Sequence, residues 1–236
     1  MKGARALTPL EIQAVCMAFD GKYAVRNRTL FLVCANIGTR ITEALNLNVG
    51  DVLQNGEVVE VLYLRRETVK GKQSRVSLTL PRGARMTLRD YLEWKQEEGE
   101  RLNKRAPLFS SRQGGRLTRQ RAHDIFKAVY DLVGLKGHVT THSPRKSYAK
   151  TVYEKSGNDL MVTQKALRHT SIEKTLHYLD TIADDVTQAM PNYEFSDIDE
   201  KHKTSTSKII YLSEVARQLG KRDTERLSEN ASKRSS

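Results

Sequence analysis

Residues 141–180 read THSPRKSYAKTVYEKSGNDLMVTQKALRHTSIEKTLHYLD. His142 and Arg145 flank Ser143-Pro144, which reads as an N-cap and a first helical position. Arg145 then projects from a first helical turn, where unpaired backbone N–H groups and the helix dipole favour an anion. Farther along, His169 precedes Thr170-x-x-Glu173, a capping box opening the helix that carries Tyr178. The spacing predicts helices over roughly 144–156, 160–168 and 171–180. Two histidines, one arginine and one tyrosine in this order suggest a phosphate-shaped site beside a tyrosine.

Moving upstream, a second arginine has a similar setting. Gly38 breaks a helix predicted from about Val25 to Asn36, whose apolar side is Leu30, Phe31, Val33 and Cys34. Thr39 then caps a third helix, Arg40 to Leu47, with Ile41, Ala44 and Leu45 inward. A cation at a helix start is unfavourable for the dipole unless an anion sits beside it, so Arg40 also points to an anion. The first helix opens at Thr8-Pro9-Leu10-Glu11 and is expected to bury Leu10, Ala14 and Val15, with Met17 and Ala18 at the margin of that face.

From Gly56 the apolar period becomes two. Val58–Leu64 and Arg75–Leu80 read as two strands joined by a cationic hairpin, Arg65–Ser74, which includes Lys70 and Lys72. Without further context those lysines read as a solvated turn that discourages edge pairing. Pro81 ends the second strand. A long helix then runs to about Leu102, with Leu88, Tyr91, Leu92 and Trp94 inward, and Leu108-Phe109 suggests a short strand. A further helix opens near Arg116 and continues to about Val133, with Ile125, Phe126, Val129 and Leu132 on one face. Arg116, Arg119, Gln120 and Arg121 crowd its start, as DNA-contacting side chains would, or as a plain exposed helix end would.

The composition fits a polyanion partner. The 236 residues carry 40 Lys+Arg against 28 Asp+Glu, a net charge of +12 and a pI near 9.7. Nine basic and seven acidic residues lie from Asp197 onward, so about +10 belongs to the body of the chain. Such an excess attracts polyanions through counterion release and steering. No apolar run approaches the roughly 18–20 residues that span a bilayer, and MKGARALTPL lacks a signal-peptide core, which predicts a cytoplasmic protein. Cys16 and Cys34 lie in apolar helical patterns and read as reduced core residues. His138 and His142 are too poorly supported by other ligands to make a zinc site.

Five segments in this order resemble the tyrosine recombinase (phage-integrase-like) family: Gly38-Thr-Arg-Ile-Thr-Glu-Ala-Leu45, Lys70-Gly71-x-x-x-Arg75, His142-x-x-Arg145, Leu167-Arg-His169 and Tyr178. The resemblance implies a fold that is mainly α with a small antiparallel β-sheet, over residues 1–192. A polar linker from 193, a short amphipathic helix at about 208–220 and a disordered tail would follow. It also implies DNA strand cleavage and rejoining through a 3′-phosphotyrosyl link, with no metal or other cofactor. Arg40 and Arg145 would clamp the non-bridging oxygens, His169 would donate to one of them, and His142 would assist proton transfer at the nucleophile Tyr178. Lys70 would protonate the leaving 5′-oxygen, with Lys72 as runner-up. Lys72, Arg75, Arg116, Arg119, Gln120, Arg121 and Lys146 would contact DNA.

The partners so implied are double-stranded DNA, further copies of the chain as a dimer on one site and a tetramer in synapsis, and accessory DNA-bending proteins. In the family a helix just after the nucleophile docks into a neighbouring protomer, and the stripe Ile182, Val186, Met190 occupies that place. Two departures stand out. Arg168 sits where the family usually has glycine, so that loop is expected to approach DNA differently. The recombinase-like region also starts within the first ten residues, where the family usually carries an N-terminal clamping domain. That fits either a minimal recombinase or a chain beginning at a domain boundary. Competing readings are a type IB topoisomerase-like relaxing activity and a DNA-binding regulator without catalysis. The presence of all six active-site residues argues against the latter.

Overall fold

A computed structural model of the chain describes residues 3–64, 76–100 and 102–179. Its elements are α1 (Pro9–Ala18), α2 (Ala24–Ile37), α3 (Ile41–Leu45), α4 (Val49–Val52), β1 (Leu53–Gln54), β2 (Glu57–Val58), β3 (Val61–Leu64), β4 (Val76–Thr79), α5 (Arg82–Glu97), α6 (Arg119–Val133), α7 (Ser143–Lys155), α8 (Leu160–Leu167) and α9 (Ile172–Leu179). The predicted class holds: mainly helical, with small antiparallel sheets. Among the described residues no helix is long and apolar enough to cross a membrane. The cationic hairpin with Lys70, Lys72 and Arg75, the Ile182–Met190 stripe, and the linker, helix and tail expected from 193 lie outside the described residues.

α2 organises the rest because it is buried on several faces. Leu30, Phe31, Val33, Cys34 and Ile37 are all buried, and the helix packs against α1, α5, α6 and α7. Phe31 meets Phe126 edge-on with ring centroids 5.5 Å apart, and Phe19 and Tyr130 complete the aromatic cluster. On α5, Ala84, Leu88, Tyr91, Leu92 and Lys95 form one inward stripe at helical spacing. Lys95 can occupy that stripe at 1% exposure because Glu100 and Ser110 accept from its ammonium at 2.5 and 3.2 Å.

Several local expectations hold. Thr8 and Glu11 form the capping box with Pro9 in the first turn, and Gly38 ends α2 at φ +59. Others do not. Leu10 is 76% exposed and Met17 83%, so α1 buries Val15 rather than a broad stripe. Leu132 points to solvent and Tyr130 replaces it, because the inward face of α6 runs Ala122, Phe126, Val129, Tyr130. Trp94 is only half-buried, and α5 stops at Glu97 ahead of Gly99, whose φ is +76. Leu108 and Phe109 are buried but lie between isolated bridges, Asn48 to Pro107 and Ser110 to Arg116, rather than in a strand.

The predicted Val58–Leu64 strand is two strands. Asn55-Gly56, both at positive φ, make a two-residue hairpin that pairs β2 with β1, and the chain bends at Glu60 before β3 pairs with β4. The β3–β4 register sets Leu62 opposite Leu78 and Leu64 opposite Val76, with Leu62 and Leu64 buried.

Candidate active site

The site is built where α2, α8 and the start of α7 meet. Gly38 turns the chain out of α2 in a left-handed conformation, and a Cβ there would overlap the Tyr148 ring. Its carbonyl therefore stays close to α7 and accepts from Arg145 Nη1, while the carbonyl of Leu167, the last residue of α8, accepts from Arg145 Nη2 at 2.5 Å. Both acceptors are helix-end carbonyls with no partner inside their own helices, at the negative ends of two dipoles. They hold a guanidinium that is only 2% exposed. Burial, followed by the nearby charges of Arg168 and Arg40, pushes the Arg145 pKa down to about 10, so it remains a cation near neutral pH.

Arg40 is not the first helical residue, as the sequence suggested, but the N-cap of α3. Thr39 is fully buried and makes no cap; Glu43 makes the box instead, accepting from the Arg40 backbone N–H at 2.8 Å and from Arg40 Nη1 at 2.7 Å. Glu43 is thus the anion that the dipole argument called for. Its place three residues after Arg40 is the sequence signal that could have revealed it. Burial opposes its ionisation, yet Arg168 and Arg40 hold its pKa below the ordinary value.

α7 also starts differently. His142 is the N-cap, Ser143 is the first helical residue, and the Ser143 hydroxyl accepts from Thr140 N–H. Burial of the ring and the charges of Arg119, Arg145, Arg40 and Lys146 lower the pKa of His142, although the residue still reaches solvent. α9 begins at Ile172, too late for Thr170 to cap it; Thr170 instead accepts from Lys174, and Ser171 hydrogen-bonds Glu173.

Tyr178 lies in a small satellite core with Ala149, Leu167, Leu179, Tyr148, Tyr153 and Leu160. Its hydroxyl is buried with no well-aligned hydrogen bond among the described residues, and burial raises its pKa against the lowering fields of Arg145 and Arg40 and the approach of the Arg145 side chain to the hydroxyl. Around its ring stand the His169 edge at 5.3 Å, the Arg145 guanidinium at 5.9 Å and the Lys146 ammonium at 5.2 Å. His169 Nδ1 lies 3.1 Å from the Thr175 hydroxyl. Burial, then Arg145, Arg40, Arg168 and Lys174, push the His169 pKa down to about 4. The ring is neutral near pH 7, and in the tautomer in which Nδ1 accepts from Thr175, Nε2–H is free to donate.

The structure therefore brings Arg40, His142, Arg145, His169 and Tyr178 into one electrostatic neighbourhood, while Lys70 lies outside the described residues. The candidate DNA contacts divide. Arg119 faces His142 and is exposed, as are Gln120 and Arg121. Gln120 donates to Asp124 at 2.8 Å, and Arg121 lies toward Arg26 instead. Arg116 donates to the carbonyls of Leu45 and Leu47 at 3.0 and 2.9 Å and to Asn48, tying down the end of α3. Lys146 is buried beside Tyr178 rather than displayed on the surface.

Residues 5–185 match the family described as the phage integrase family. The chain belongs to that family of tyrosine recombinases. It is 31% identical to tyrosine recombinase XerD of Corynebacterium glutamicum over 166 residues, which is 70% of this chain and 51% of that protein. It is 33% identical to tyrosine recombinase XerC of Rhodospirillum centenum over 160 residues, 68% of this chain and 44% of that protein. The chain thus spans about half the length of these curated relatives. Among solved structures it shares its fold with XerA recombinase, at a TM-score of 0.61 and 22% identity over 80% of this chain and 66% of that one. It also resembles a lambda integrase dimer bound to a COC′ core site, at a TM-score of 0.57 and 18% identity over 83% of this chain and 52% of that one.

Proposed function

We propose that this tyrosine recombinase family member cuts and rejoins double-stranded DNA at specific sites through a 3′-phosphotyrosyl intermediate, without metal or ATP. The observation that carries this reading is the buried Tyr178 hydroxyl, which has no well-aligned hydrogen bond among the described residues and is set between Arg145 and His169. Leaving a buried hydroxyl unpaired costs about 1–3 kcal/mol, and a scissile phosphate is the missing acceptor. Arg40 and Arg145 take the non-bridging oxygens, and neutral His169 donates to one of them. Tyr178 Oη attacks phosphorus as its proton passes to His142. The phosphorus–5′-oxygen bond breaks, and Lys70 supplies the proton to the departing oxygen, with Lys72 as the other candidate on the hairpin. Attack by a new 5′-hydroxyl reverses these steps. Lys72, Arg75, Arg119, Gln120 and Arg121 supply phosphate or base-edge contacts, and the cycle proceeds in the cytoplasm within a synapse of four copies.

The test is a denaturing gel of the full chain with a library of nicked duplexes of randomised core sequence. A covalent protein–DNA adduct that disappears in Tyr178→Phe supports the reading, and peptide mapping should place the DNA on Tyr178. Absence of any adduct over the whole library rejects it.

A further inference from the structure

From the structure we infer that Arg168 is a positioning residue that locks the two site arginines to each other. Its hydrogen bonds carry the case. Arg168 Nη2 donates to Glu43 Oε2 at 2.7 Å, and Glu43 Oε1 accepts from Arg40 Nη1. The same Nη2 reaches the Gly38 carbonyl at 3.4 Å, which also accepts from Arg145. Both acceptors of Arg168 are therefore shared with a site arginine. One guanidinium joins the start of α3, the turn after α2 and the end of α8 at the point where they face Tyr178.

The local backbone makes this placement informative. Arg168 is the C-cap of α8 at φ +57 and ψ +42, a left-handed conformation that glycine adopts without strain and an L side chain does not. The side chain nevertheless turns inward, to 11% exposure, and Nε and Nη1 are buried without hydrogen-bond partners among the described residues. Neither backbone preference nor hydrogen-bond satisfaction favours arginine here. What it adds is charge and geometry at Glu43. With Arg40 alone, the Glu43 carboxylate would cancel the charge meant for phosphate; with Arg168 taking its second oxygen, the trio keeps a net positive charge and Arg40 a fixed orientation. The fields at Tyr178 and His142 come from Arg40 and Arg145, whereas Arg168 is felt at Arg145 and His169 and spends its hydrogen bonds on Glu43 and the Gly38 carbonyl.

This role rests on the strand-cleavage reading, and the test separates the two. The full chain and the nicked duplex recovered from the library are compared in single-turnover adduct formation at saturating DNA. Misplacement of a catalytic group by about 1 Å costs on the order of 100-fold, so Arg168→Gly should slow adduct formation by roughly 10- to 100-fold. DNA affinity should stay within about threefold, and the rates are compared at a temperature where circular dichroism shows each variant folded, because relief of the left-handed backbone and loss of a partner for the buried Glu43 carboxylate oppose each other in stability. Arg168→Lys, which keeps the charge but not the fork, should fall between the two.

The acid side of the pH–rate profile supplies a readout that a packing role would not move. Glu43 is faced by Arg40 from α3, Arg168 from the end of α8, Arg145 from α7 and Cys34 from α2. Removing Arg168 lets the Glu43 pKa rise, so Arg168→Gly should lose activity at a higher pH than the wild type as pH is lowered. In a Glu43→Gln background, Arg168→Gly should cost little more, since the two act as one unit. Wild-type rates in Arg168→Gly, additive effects of the two changes, or an unmoved acid limb would each overturn the positioning role while leaving strand cleavage standing. No adduct from the wild-type chain would overturn both.

Discussion

Replacing Gly38 with alanine should strike the fold and the site together. The residue sits at φ +59, where an added Cβ costs about 1–2 kcal/mol in backbone energy. The new methyl would also overlap the Tyr148 ring, lying 2.5 Å from Cε1 on a side chain of α7. Overpacking of this kind adds about 1–3 kcal/mol. The sum, roughly 2–5 kcal/mol, converts at about 2–4 °C per kcal/mol to a melting temperature about 4–20 °C lower by circular dichroism. Two contributions can be separated by repeating the change in a Tyr148→Ala background, where the overlap vanishes and only the backbone cost of about 1–2 kcal/mol remains. The Gly38 carbonyl also holds Arg145, so Gly38→Ala protein that is still folded should form the Tyr178 adduct more slowly than the wild type. A Gly38→Ala protein that melts within about 2 °C of the wild type would refute the tight approach of α2 and α7 on which the site depends.

Protonation should reveal the cationic field around His169, whose folded pKa of about 4 lies below its ordinary 6.5. Between those values the unfolded chain binds a proton that the folded one does not, so this residue makes stability fall as pH drops from about 6.5 toward 4; NMR titration of the His169 ring with a midpoint near 6.5 would contradict it. The Lys95–Glu100 pair should be asymmetric, because Lys95 is 1% exposed and Glu100 36%. Glu100→Ala strands a buried ammonium and should cost about 3–5 kcal/mol in urea unfolding, whereas Lys95→Met leaves a carboxylate that water can reach and should cost clearly less. Tyr178→Phe removes a buried hydroxyl that makes no well-aligned hydrogen bond among the described residues, so its melting temperature should stay close to or above that of the wild type even as adduct formation is lost.

Features encoded within a few residues were legible before the fold was known. The Thr8–Glu11 box, the glycine break at 38 and the α5 stripe all depend on neighbours in the chain, whereas the family resemblance gathers the set Arg40, His142, Arg145, His169 and Tyr178. Boundaries failed where two local signals competed. Alternation alone ran Val58–Leu64 together as one strand, although Asn55-Gly56 marks a two-residue hairpin that gives β2 to β1. Thr39 and Ser143 looked like caps by residue type, but both side chains are buried, and the caps fall on Arg40 and His142. Leu10, Met17 and Leu132 kept an apolar pattern on faces that no neighbouring element covers among the described residues.

Arg168 marks where reading the chain in one dimension stops. By position it departs from a glycine, which suggests a loop altered where it meets DNA. In space its guanidinium turns away from solvent to a carboxylate 125 residues earlier in the chain, and that carboxylate is the one that caps α3 and orients Arg40. No periodicity or motif spacing carries that link, because it needs the end of α8 and the start of α3 to be packed against the same turn. Once they are, the glycine at 38 and the arginine at 168 become parts of one device. The first brings its carbonyl close to Arg145; the second joins that carbonyl to Glu43. Among the described residues, Arg40, Arg145 and Arg168 gather around one carboxylate, Glu43, which leaves the site net positive, and an anionic phosphate is the chemistry that would balance it.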